Sequence, residues 1–230
     1  MMGTDACEIL FFVKLPLAGK VKTRLARDLG AGRAAKLYEA FAEDQLATLT
    51  STGIPVRVCC VPMGTLADYE MWLGNQYSFE WQLGFDLGAR MLAAFDGAFR
   101  RGRKRVVLTG SDAPMMQRET VLEAFDALQH RDAVFSPSPD GGYSLAGYRA
   151  SGLVRDVFLE MPWSTSGVFE ETCRRLNEHD ASYAVLQETP DVDTLQELGR
   201  LVQSAVFGNS PMTSRDNAPR SFSLLEHWGF

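Results

Sequence analysis

The 230-residue chain has few of the side chains from which nucleophilic and metal centres are usually built. Its three histidines lie in polar or terminal stretches, which predicts surface positions rather than catalytic or ligand roles. They are His130, His179 and His227. Its four cysteines lack the spacing of metal ligands, and the adjacent pair on a predicted strand points to opposite faces. They are Cys7, Cys59, Cys60 and Cys173. We therefore expect a cytoplasmic protein with reduced cysteines and no convincing nucleophile.

Long apolar runs are also missing. No run approaches the roughly 18 residues that span a bilayer, and the opening apolar run is not preceded by a basic region. We therefore expect neither secretion nor membrane insertion. No Pro/Gly/Ser-rich linker divides the first 200 residues, so the sequence predicts one domain, 1–207, followed by a polar, turn-rich tail, 208–230. Because the end of that tail is apolar, we expect it to dock on the domain or on a partner.

Two familiar phosphate-binding motifs are absent. The segment around Gly19 and Lys20 lacks the first glycine of G-x-x-x-x-G-K-[ST], and no G-x-G-x-x-G follows a predicted strand. Neither a Walker loop nor a dinucleotide fingerprint is therefore supported.

Positive charge is concentrated near the N-terminus, where an apolar run breaks into a Pro/Gly turn. Between Lys14 and Arg33 the chain has six basic residues and one acid, a net charge of +5, while the whole chain has −6 and the remainder therefore −11. An acidic protein that gathers cations at one strand end is better suited to a small polyanion, such as a nucleotide phosphate, than to nucleic acid. The alternative is a solvated, charged helix start.

The hydrophobic period switches repeatedly between strand-like and helical, which predicts an α/β fold with a mostly parallel sheet. The predicted strands are Glu8–Val13, Val56–Val61, Arg105–Thr109, Ala133–Ser136, Tyr143–Gly147 and Tyr183–Leu186. The predicted helices are Ala31–Leu49, Leu66–Trp72, Leu87–Phe99, Glu119–Leu128, Leu153–Phe158, Val168–Asn177 and Leu195–Val206. Ligands of open α/β sheets bind beyond the carboxyl ends of the strands, so the residues that follow each strand are the candidates for a site.

Two acidic positions follow predicted strands. Asp112 lies after an apolar run, where a carboxylate is a good Mg²⁺ ligand or, alternatively, a helix N-cap or Asx turn. Asp193 follows the last predicted strand, and Thr194 with Glu197 forms a capping-box pattern behind it. The negative charge of Asp193 would then interact favourably with the dipole of that helix. A role as an acidic site and a role at the helix start are compatible. If Asp193 lies near Asp112, the two could share a divalent ion.

Three further segments each have two interpretations. Asp140-Gly141-Gly142-Tyr143 fits a hairpin turn or a rigid wall beside a ligand. Gln82 and Gly84 fit recognition of a base or the turn before a helix. Trp163, Ser164 and Thr165 fit an acceptor pocket, or a core aromatic followed by a helix cap.

Taken together, the motifs resemble a known family, the GT-A-like bacterial transferases called "transferase 1, radical-SAM/selenodomain-associated". They cover roughly residues 9–200 in order, and the ordered set is more specific than any single motif. The matching segments are FVKLPLAGKVKTRLA, LYEAFAEDQL, QLGFDLGARM, LTGSDAP, FSPSPDGGYSLAG, PWSTSGVFEET and DVDTLQEL. The family also looks like distant kin of phospholactate and molybdenum-cofactor guanylyltransferases. Ser144 departs from the family, which often has a second aromatic there, and the tail beyond Phe207 falls outside the match.

The resemblance implies a Rossmann-like GT-A domain that binds a nucleoside triphosphate or nucleotide-sugar donor with Mg²⁺ or Mn²⁺. By position, the phosphates would be bound by Lys14, Lys22 and Arg24, together with Gly19. Asp112 and Asp193 would hold the metal, and Gln82 with Gly84 would meet the base. Asp140, Gly141, Gly142, Tyr143, Trp163 and Thr165 would face a small-molecule acceptor.

The long cationic loop suits a triphosphate and slightly favours nucleotidyl transfer to a small phosphorylated acceptor, with Lys14, Lys22, Arg24 and Asp112 as the catalytic residues that the resemblance implies. Glycosyl transfer from a nucleotide sugar is an alternative in the same pocket. A nucleotide-binding partner protein without turnover is an alternative from another class. None of these functions involves nucleic acid or membrane insertion.

Overall fold

A computed structural model of the protein describes residues 6–207 and 215–230, which form one seven-stranded sheet with helices on both sides. The strands are β1 Cys7–Val13, β2 Val56–Cys60, β3 Ser78–Trp81, β4 Arg105–Thr109, β5 Ala133–Pro137, β6 Tyr143–Arg149 and β7 Tyr183–Val185. The α-helices are α1 Ala26–Leu29, α2 Ala31–Ser51, α3 Leu66–Leu73, α4 Leu87–Arg100, α5 Arg118–Ala127, α6 Val168–Glu178, α7 Leu195–Phe207 and α8 Pro219–Trp228.

The strand order is β3-β2-β1-β4-β6-β5-β7, and the sheet is mostly parallel as predicted. Only β6 runs against its neighbours, because it returns from β5 in a hairpin and inserts between β5 and β4. The carboxyl ends of β1 and β4 are therefore adjacent, with Phe11 opposite Thr109. The turn from β5 into β6 reaches the same edge of the sheet.

The sheet is covered on both faces, which explains why β1, an interior strand, is apolar except for Glu8, which pairs with Arg57 and Arg101. Every residue of β1 is buried, including both faces of the run CEILFFV, as expected of a strand between two helical layers. One layer contains α2, α3 and α5, and the other contains α4 and α6. In the described part of the chain, no helix combines the length and apolar character needed to cross a membrane.

Several elements differ from the sequence prediction, and the single-turn helix α1 at Ala26–Leu29 was not predicted. β3 was not predicted, since it has only four residues, none of them fully buried, at the edge of the sheet. Leu153–Phe158 is not an α-helix: the structure has short 3₁₀ helices at Ala150–Gly152 and Arg155–Phe158. The polar segment 208–214 of the predicted tail lies outside the described residues, but α8 follows it and packs on α2 with Phe222 and Leu225 buried.

Candidate active site

A cleft of about 690 Å³ opens at the carboxyl ends of β1 and β4. Most of its lining comes from six segments: the cationic loop after β1, the segment from β3 into α4, the turn after β4, the β5–β6 hairpin, the segment before α6, and the segment before α7. These segments carry most of the site residues predicted from the sequence. Their lining members from that set are Lys14, Lys22, Arg24, Gln82, Asp112, Asp140, Gly142, Tyr143, Trp163, Thr165 and Asp193.

The conformation of the cationic loop, residues 14–24, is fixed by its buried apolar residues and by backbone hydrogen bonds. Leu15 and Val21 are buried, and the Leu15 amide donates to the Tyr69 hydroxyl at 3.1 Å. The chain turns at Gly19, where φ is +76° and a glycine is favoured. Gly19 itself does not line the cleft, so its contribution is to the shape of the loop. The exposed lysine and arginine ends are left free to face the cleft.

Tyr38 connects this loop to the end of β4. Its hydroxyl accepts the Lys14 amide at 2.8 Å and lies 2.8 Å from the Ser111 Oγ. Tyr38 is buried on α2, and burial together with the charge of Asp112 raises its pKa, so that the hydroxyl stays neutral. The bond therefore positions the backbone of Lys14 beside the residue that precedes Asp112.

Lys22 lies differently from the other cations of the loop. Its side chain is only 1% exposed, and its ammonium lies 2.5 Å from Asp112 Oδ1 and 2.9 Å from Asp193 Oδ1. The sequence predicted a contact between Lys22 and phosphate, whereas the structure gives its ammonium two carboxylate partners. The two aspartates, which are 81 positions apart in the chain, are indeed neighbours, but a lysine joins them.

The ion pairs shift the pKa of Lys22 and the pKa of Asp112 in the direction that keeps both groups charged. Burial alone would raise the pKa of Asp112, but the Lys22 ammonium outweighs it and holds that pKa below its ordinary value. Burial alone would lower the pKa of Lys22, and the two carboxylates instead raise it. Asp191 lines the same cleft, and burial with the charges of Asp140 and Asp193 raises its pKa to about 6.

Asp193 is held in place by local hydrogen bonds. Glu197 accepts from the amides of Asp193 and Thr194, and the Thr194 hydroxyl accepts from the Glu197 amide, which confirms the predicted capping box. The Val192 amide also donates to the Asp112 carbonyl at 3.0 Å. The start of α7 is thereby tied to the end of β4, and this tie brings Asp193 to Asp112.

Asp112 does not act as a helix cap. The N-cap of α5 is Gln117, and no side chain caps that helix. The Asp112 side chain is half exposed (51%) and the Asp193 side chain is 38% exposed, and both line the cleft. Within residues 6–207 and 215–230, no three His, Cys, Asp or Glu side chains form a metal cluster. Two carboxylates open to the cleft nevertheless suit Mg²⁺, which takes one or two protein carboxylates and completes its shell with water and phosphate oxygens.

The β5–β6 hairpin forms one wall of the cleft. Asp140 Oδ1 accepts the Gly142 amide at 2.9 Å and the Ser138 hydroxyl, so the carboxylate closes the turn, as the hairpin interpretation predicts. Gly141, predicted as an acceptor contact, does not line the cleft. It has φ +88° and packs against the backbone of Ser166.

An alanine at Gly141 is expected to destabilise the protein more than an alanine at Gly102, which shares φ +88°. A Cβ at Gly141 would lie 2.0 Å from the Ser166 carbonyl oxygen, whereas one at Gly102 would meet nothing within 4 Å. Both variants carry the cost of a left-handed alanine, about 1–2 kcal/mol, and only Gly141→Ala adds a clash of about 1–3 kcal/mol. Urea unfolding measures the difference, and equal losses would contradict the packing described here.

An aromatic segment before α6 packs against the β5–β6 hairpin and extends this wall of the cleft. Trp163 lies edge-on to Tyr143, with ring centroids 6.5 Å apart. Thr165 donates to the Pro162 carbonyl and Gly167 is the N-cap of α6, so neither Thr165 nor Ser164 caps that helix. Trp163 packs against the core as a partly buried aromatic, and both Trp163 and Thr165 line the cleft.

The predicted base contacts are bound into the scaffold. Gln82 is buried, and its Nε2 donates to the Cys59 carbonyl at 2.7 Å and to the Val13 carbonyl at 3.4 Å. Gly84 has φ +146° and lies against the backbone of Ala89 and Arg90, outside the cleft lining. Gly84 therefore fits the turn before α4. Gln82 can offer only its Oε1 to a base, because its amide nitrogen donates to backbone carbonyls of the sheet.

The predicted site left out several polar residues of the cleft, among them Lys20, Tyr38, Ser111 and Asp191. Lys20 and Asp191 stand within two positions of predicted residues, and this proximity was the available signal. Tyr38 had no such signal, since it lies in a helix whose apolar spacing is typical of core residues.

The comparisons with known proteins agree with this architecture. The profile of the family described as "Uncharacterized protein conserved in bacteria (DUF2064)" matches residues 45–165. The chain belongs to this family. A crystal structure described as a "putative nucleotide-diphospho-sugar transferase" from Desulfovibrio desulfuricans G20 is 36% identical to this DUF2064 protein. The match covers 97% of this chain and 98% of that one, with a TM-score of 0.86.

More distant structures share the fold of the DUF2064 chain. A cytidylyltransferase from Leptospira borgpetersenii is 13% identical and has a TM-score of 0.53, over 96% of this chain and 93% of that one. A 4-diphosphocytidyl-2C-methyl-D-erythritol synthase from Anaerococcus prevotii is 9% identical and has a TM-score of 0.57, over 86% and 96%. No curated protein matches the chain. The fold is thus the Rossmann-like fold of nucleotidyltransferases and GT-A enzymes, as the sequence predicted.

Proposed function

We propose that this DUF2064 protein is a metal-dependent transferase that moves a nucleotidyl group from a nucleoside triphosphate to a small phosphorylated acceptor. One observation carries the proposal. A single cleft at the carboxyl ends of the strands joins exposed cations on one side to a pair of carboxylates on the other. This is the combination that a polyphosphate and its divalent cation require.

The phosphate-binding groups in this proposal are Lys14, Lys20 and Arg24. All three are exposed and line the cleft on the loop after β1. Three cations facing one cleft suit the long, highly charged tail of a triphosphate better than a single phosphate. They would oppose the charge that develops on departing pyrophosphate, which is the main task of the protein in phosphoryl chemistry.

Asp112 and Asp193 are the residues that would hold Mg²⁺ or Mn²⁺. When bound there, the cation would neutralise charge on the phosphate oxygens of the donor. The remaining residues position the reactants. The cleft walls at Asp140, Tyr143 and Trp163 would place the acceptor beside the donor, and alignment of this kind supplies much of the rate of a displacement reaction.

A phosphorylated acceptor fits the side chains that are present. Among the described residues, the cleft lining includes neither cysteine nor histidine, so direct attack by the acceptor is favoured over a covalent enzyme intermediate. A phosphate or phosphonate oxygen is already ionised at neutral pH and needs no general base. In the reaction, this oxygen bonds to the α-phosphorus of the triphosphate and the bond to pyrophosphate breaks.

Calorimetric titration tests the proposal directly. The wild type and Asp112→Asn would be titrated with a panel of nucleoside triphosphates and nucleotide sugars, with and without Mg²⁺ or Mn²⁺. Metal-dependent binding of one donor class, weakened in the variant, is the expected result. Absence of binding to every donor would overturn the transferase proposal and leave the cationic loop as a solvated surface.

Radiolabelled donors distinguish the two transfer reactions. Label that enters product from the α-phosphate of a triphosphate, and not from a nucleotide sugar, supports nucleotidyl transfer. The reverse result supports the alternative, in which an acceptor hydroxyl attacks an anomeric carbon and a nucleoside diphosphate leaves.

Lys14→Ala and Arg24→Ala are each expected to weaken binding of the triphosphate about ten- to a hundredfold, because each removes a charge-assisted hydrogen bond worth about 1.5–3 kcal/mol. Lys36→Ala and Arg27→Ala remove the same charges from exposed positions outside the cleft. Calorimetry should show little change in these two controls. Equal losses in all four variants would mean that the overall charge, and not the cleft, determines affinity.

The second candidate function is nucleotide binding without turnover, which the same cleft would also permit. It predicts saturable binding but no labelled product with any acceptor tested. In that case Asp112→Asn would weaken only the metal dependence of binding.

Several finer assignments are part of the proposal. The ordered motifs support membership of the radical-SAM/selenodomain-associated transferases, and the net charge of −6 argues against a nucleic-acid partner. Free cysteines accord with a cytoplasmic location. Residues 1–207 would form the transferase domain and 208–230 its C-terminal tail.

A further inference from the structure

Lys22 has a backbone conformation that a lysine rarely adopts. Its φ is +46°, in the left-handed region, although it is neither a glycine nor an asparagine. Unfavourable backbone geometry of this kind persists only where the surroundings enforce it, and it is frequent at functional sites. The Lys22 side chain is only 1% exposed, although the residue lines the cleft.

The ammonium of Lys22 lies where it competes with a metal ion. It contacts one oxygen of each carboxylate, Oδ1 of Asp112 and Oδ1 of Asp193, at 2.5 and 2.9 Å. It also lies 5.8 Å from the centre of the Phe41 ring, which lines the buried side of the site. The exposed cations Lys14 and Lys20 form no ion pair with either aspartate, so this arrangement belongs to Lys22 among the lysines of the loop.

We propose that Lys22 is a positioning residue that acts as a tethered cation. It joins Asp112 to Asp193 in the substrate-free protein and suppresses binding of a divalent cation alone, so that the metal enters together with the phosphates of the donor. The inference rests on the proposed function, because that proposal takes the two aspartates as the metal ligands.

The charges explain the coupling. Two carboxylates and one ammonium have a net charge of −1, whereas the carboxylates alone would have −2 and would attract a divalent cation strongly. Asp140 and Asp191 line the same cleft and would add to that attraction if Lys22 were absent. A polyphosphate brings several further negative charges, which restore the attraction for the metal while Lys22 stays in place.

The test measures Mn²⁺ binding to the substrate-free protein by electron paramagnetic resonance of the free ion. Lys22→Met is expected to bind Mn²⁺ at least about tenfold more tightly than the wild type, because the competing cation is gone. Lys22→Arg, which keeps the charge, should resemble the wild type. Lys20→Met is the matched control: it removes a lysine from the same loop and cleft without touching the aspartates, and should change the affinity less than about threefold.

Two results would overturn the inference. One is wild-type protein that binds Mn²⁺ alone as tightly as Lys22→Met does, and the other is an equal gain in Lys22→Met and Lys20→Met. Should Lys22→Met fail to fold, Lys22→Gln retains a hydrogen-bond donor without the charge, and the same gain is expected. Mn²⁺ alone is the probe, so this outcome is separate from the donor titrations, whose failure would instead count against the proposed function.

Discussion

Asp112→Asn is expected to slow transfer by about a hundred- to a thousandfold. The substitution halves the carboxylate charge available to a divalent cation, and that cation is worth several kcal/mol of transition-state stabilisation, where each 1.4 kcal/mol corresponds to a tenfold rate. The fold should tolerate the change, because half of the Asp112 side chain is exposed and an amide has the same shape. The rate would be followed as label transferred from the donor that calorimetry selects.

A matched control separates the loss of this carboxylate from loss of charge in general. Asp126→Asn makes the same chemical change at an exposed position of α5, outside the cleft. The expected rate for this variant is that of the wild type. A wild-type rate in Asp112→Asn as well would remove Asp112 from the site and leave the non-catalytic candidate in a stronger position.

Asp44→Ala is expected to lower the free energy of unfolding by about 2–4 kcal/mol, as the loss of charge-assisted hydrogen bonds from a buried network predicts. The Asp44 side chain is fully buried on α2 (0% exposed). Its Oδ2 accepts the Ser221 hydroxyl at 2.6 Å and the Ser221 amide at 2.9 Å, and its Oδ1 accepts the Arg220 amide at 3.1 Å. These donors belong to the first turn of α8, so the alanine would leave its amides unpaired.

Glu43→Ala is the matched control, because Glu43 also pairs with Arg220 but is partly exposed. Surface pairs contribute about 0–1 kcal/mol, so urea unfolding should show a much smaller loss. Asp44→Asn, which keeps an acceptor oxygen, should fall between the two. Equal stability of Asp44→Ala and the wild type would show that α8 contributes nothing to the folded domain.

Much of the fold could be predicted because local patterns encode it. The mostly apolar β1 and the long amphipathic α2 were both recognisable from their patterns, with ends within a few residues of those observed. β3 was missed because a four-residue, half-buried edge strand has no distinct period. Leu153–Phe158 looked helical, but its apolar residues pack against α4 from 3₁₀ turns, so tertiary contacts decided its conformation.

The candidate site, like the fold, could be predicted from the sequence only in part. The sequence indicated Asp112, Asp193 and the cationic loop, since each follows a strand and such ends meet at one edge of a sheet. The sequence did not indicate that Lys22 would pair with the two aspartates, because its pattern does not distinguish Lys22 from the other cations of the loop. Nor did it indicate that the Gln82 amide serves backbone carbonyls of β1 and β2.

The alternation of strands and helices, the clustering of cations after β1 and the capping box at the start of α7 could all be predicted, because each depends on residues close together in the chain. Which cation meets which carboxylate could not be predicted in this way. Lys22 and Asp193 are 171 residues apart, and their contact depends on the strand order, on the bond from Val192 to Asp112 and on the left-handed turn at Lys22. No local pattern reports such a contact, since its geometry exists only after the sheet has assembled.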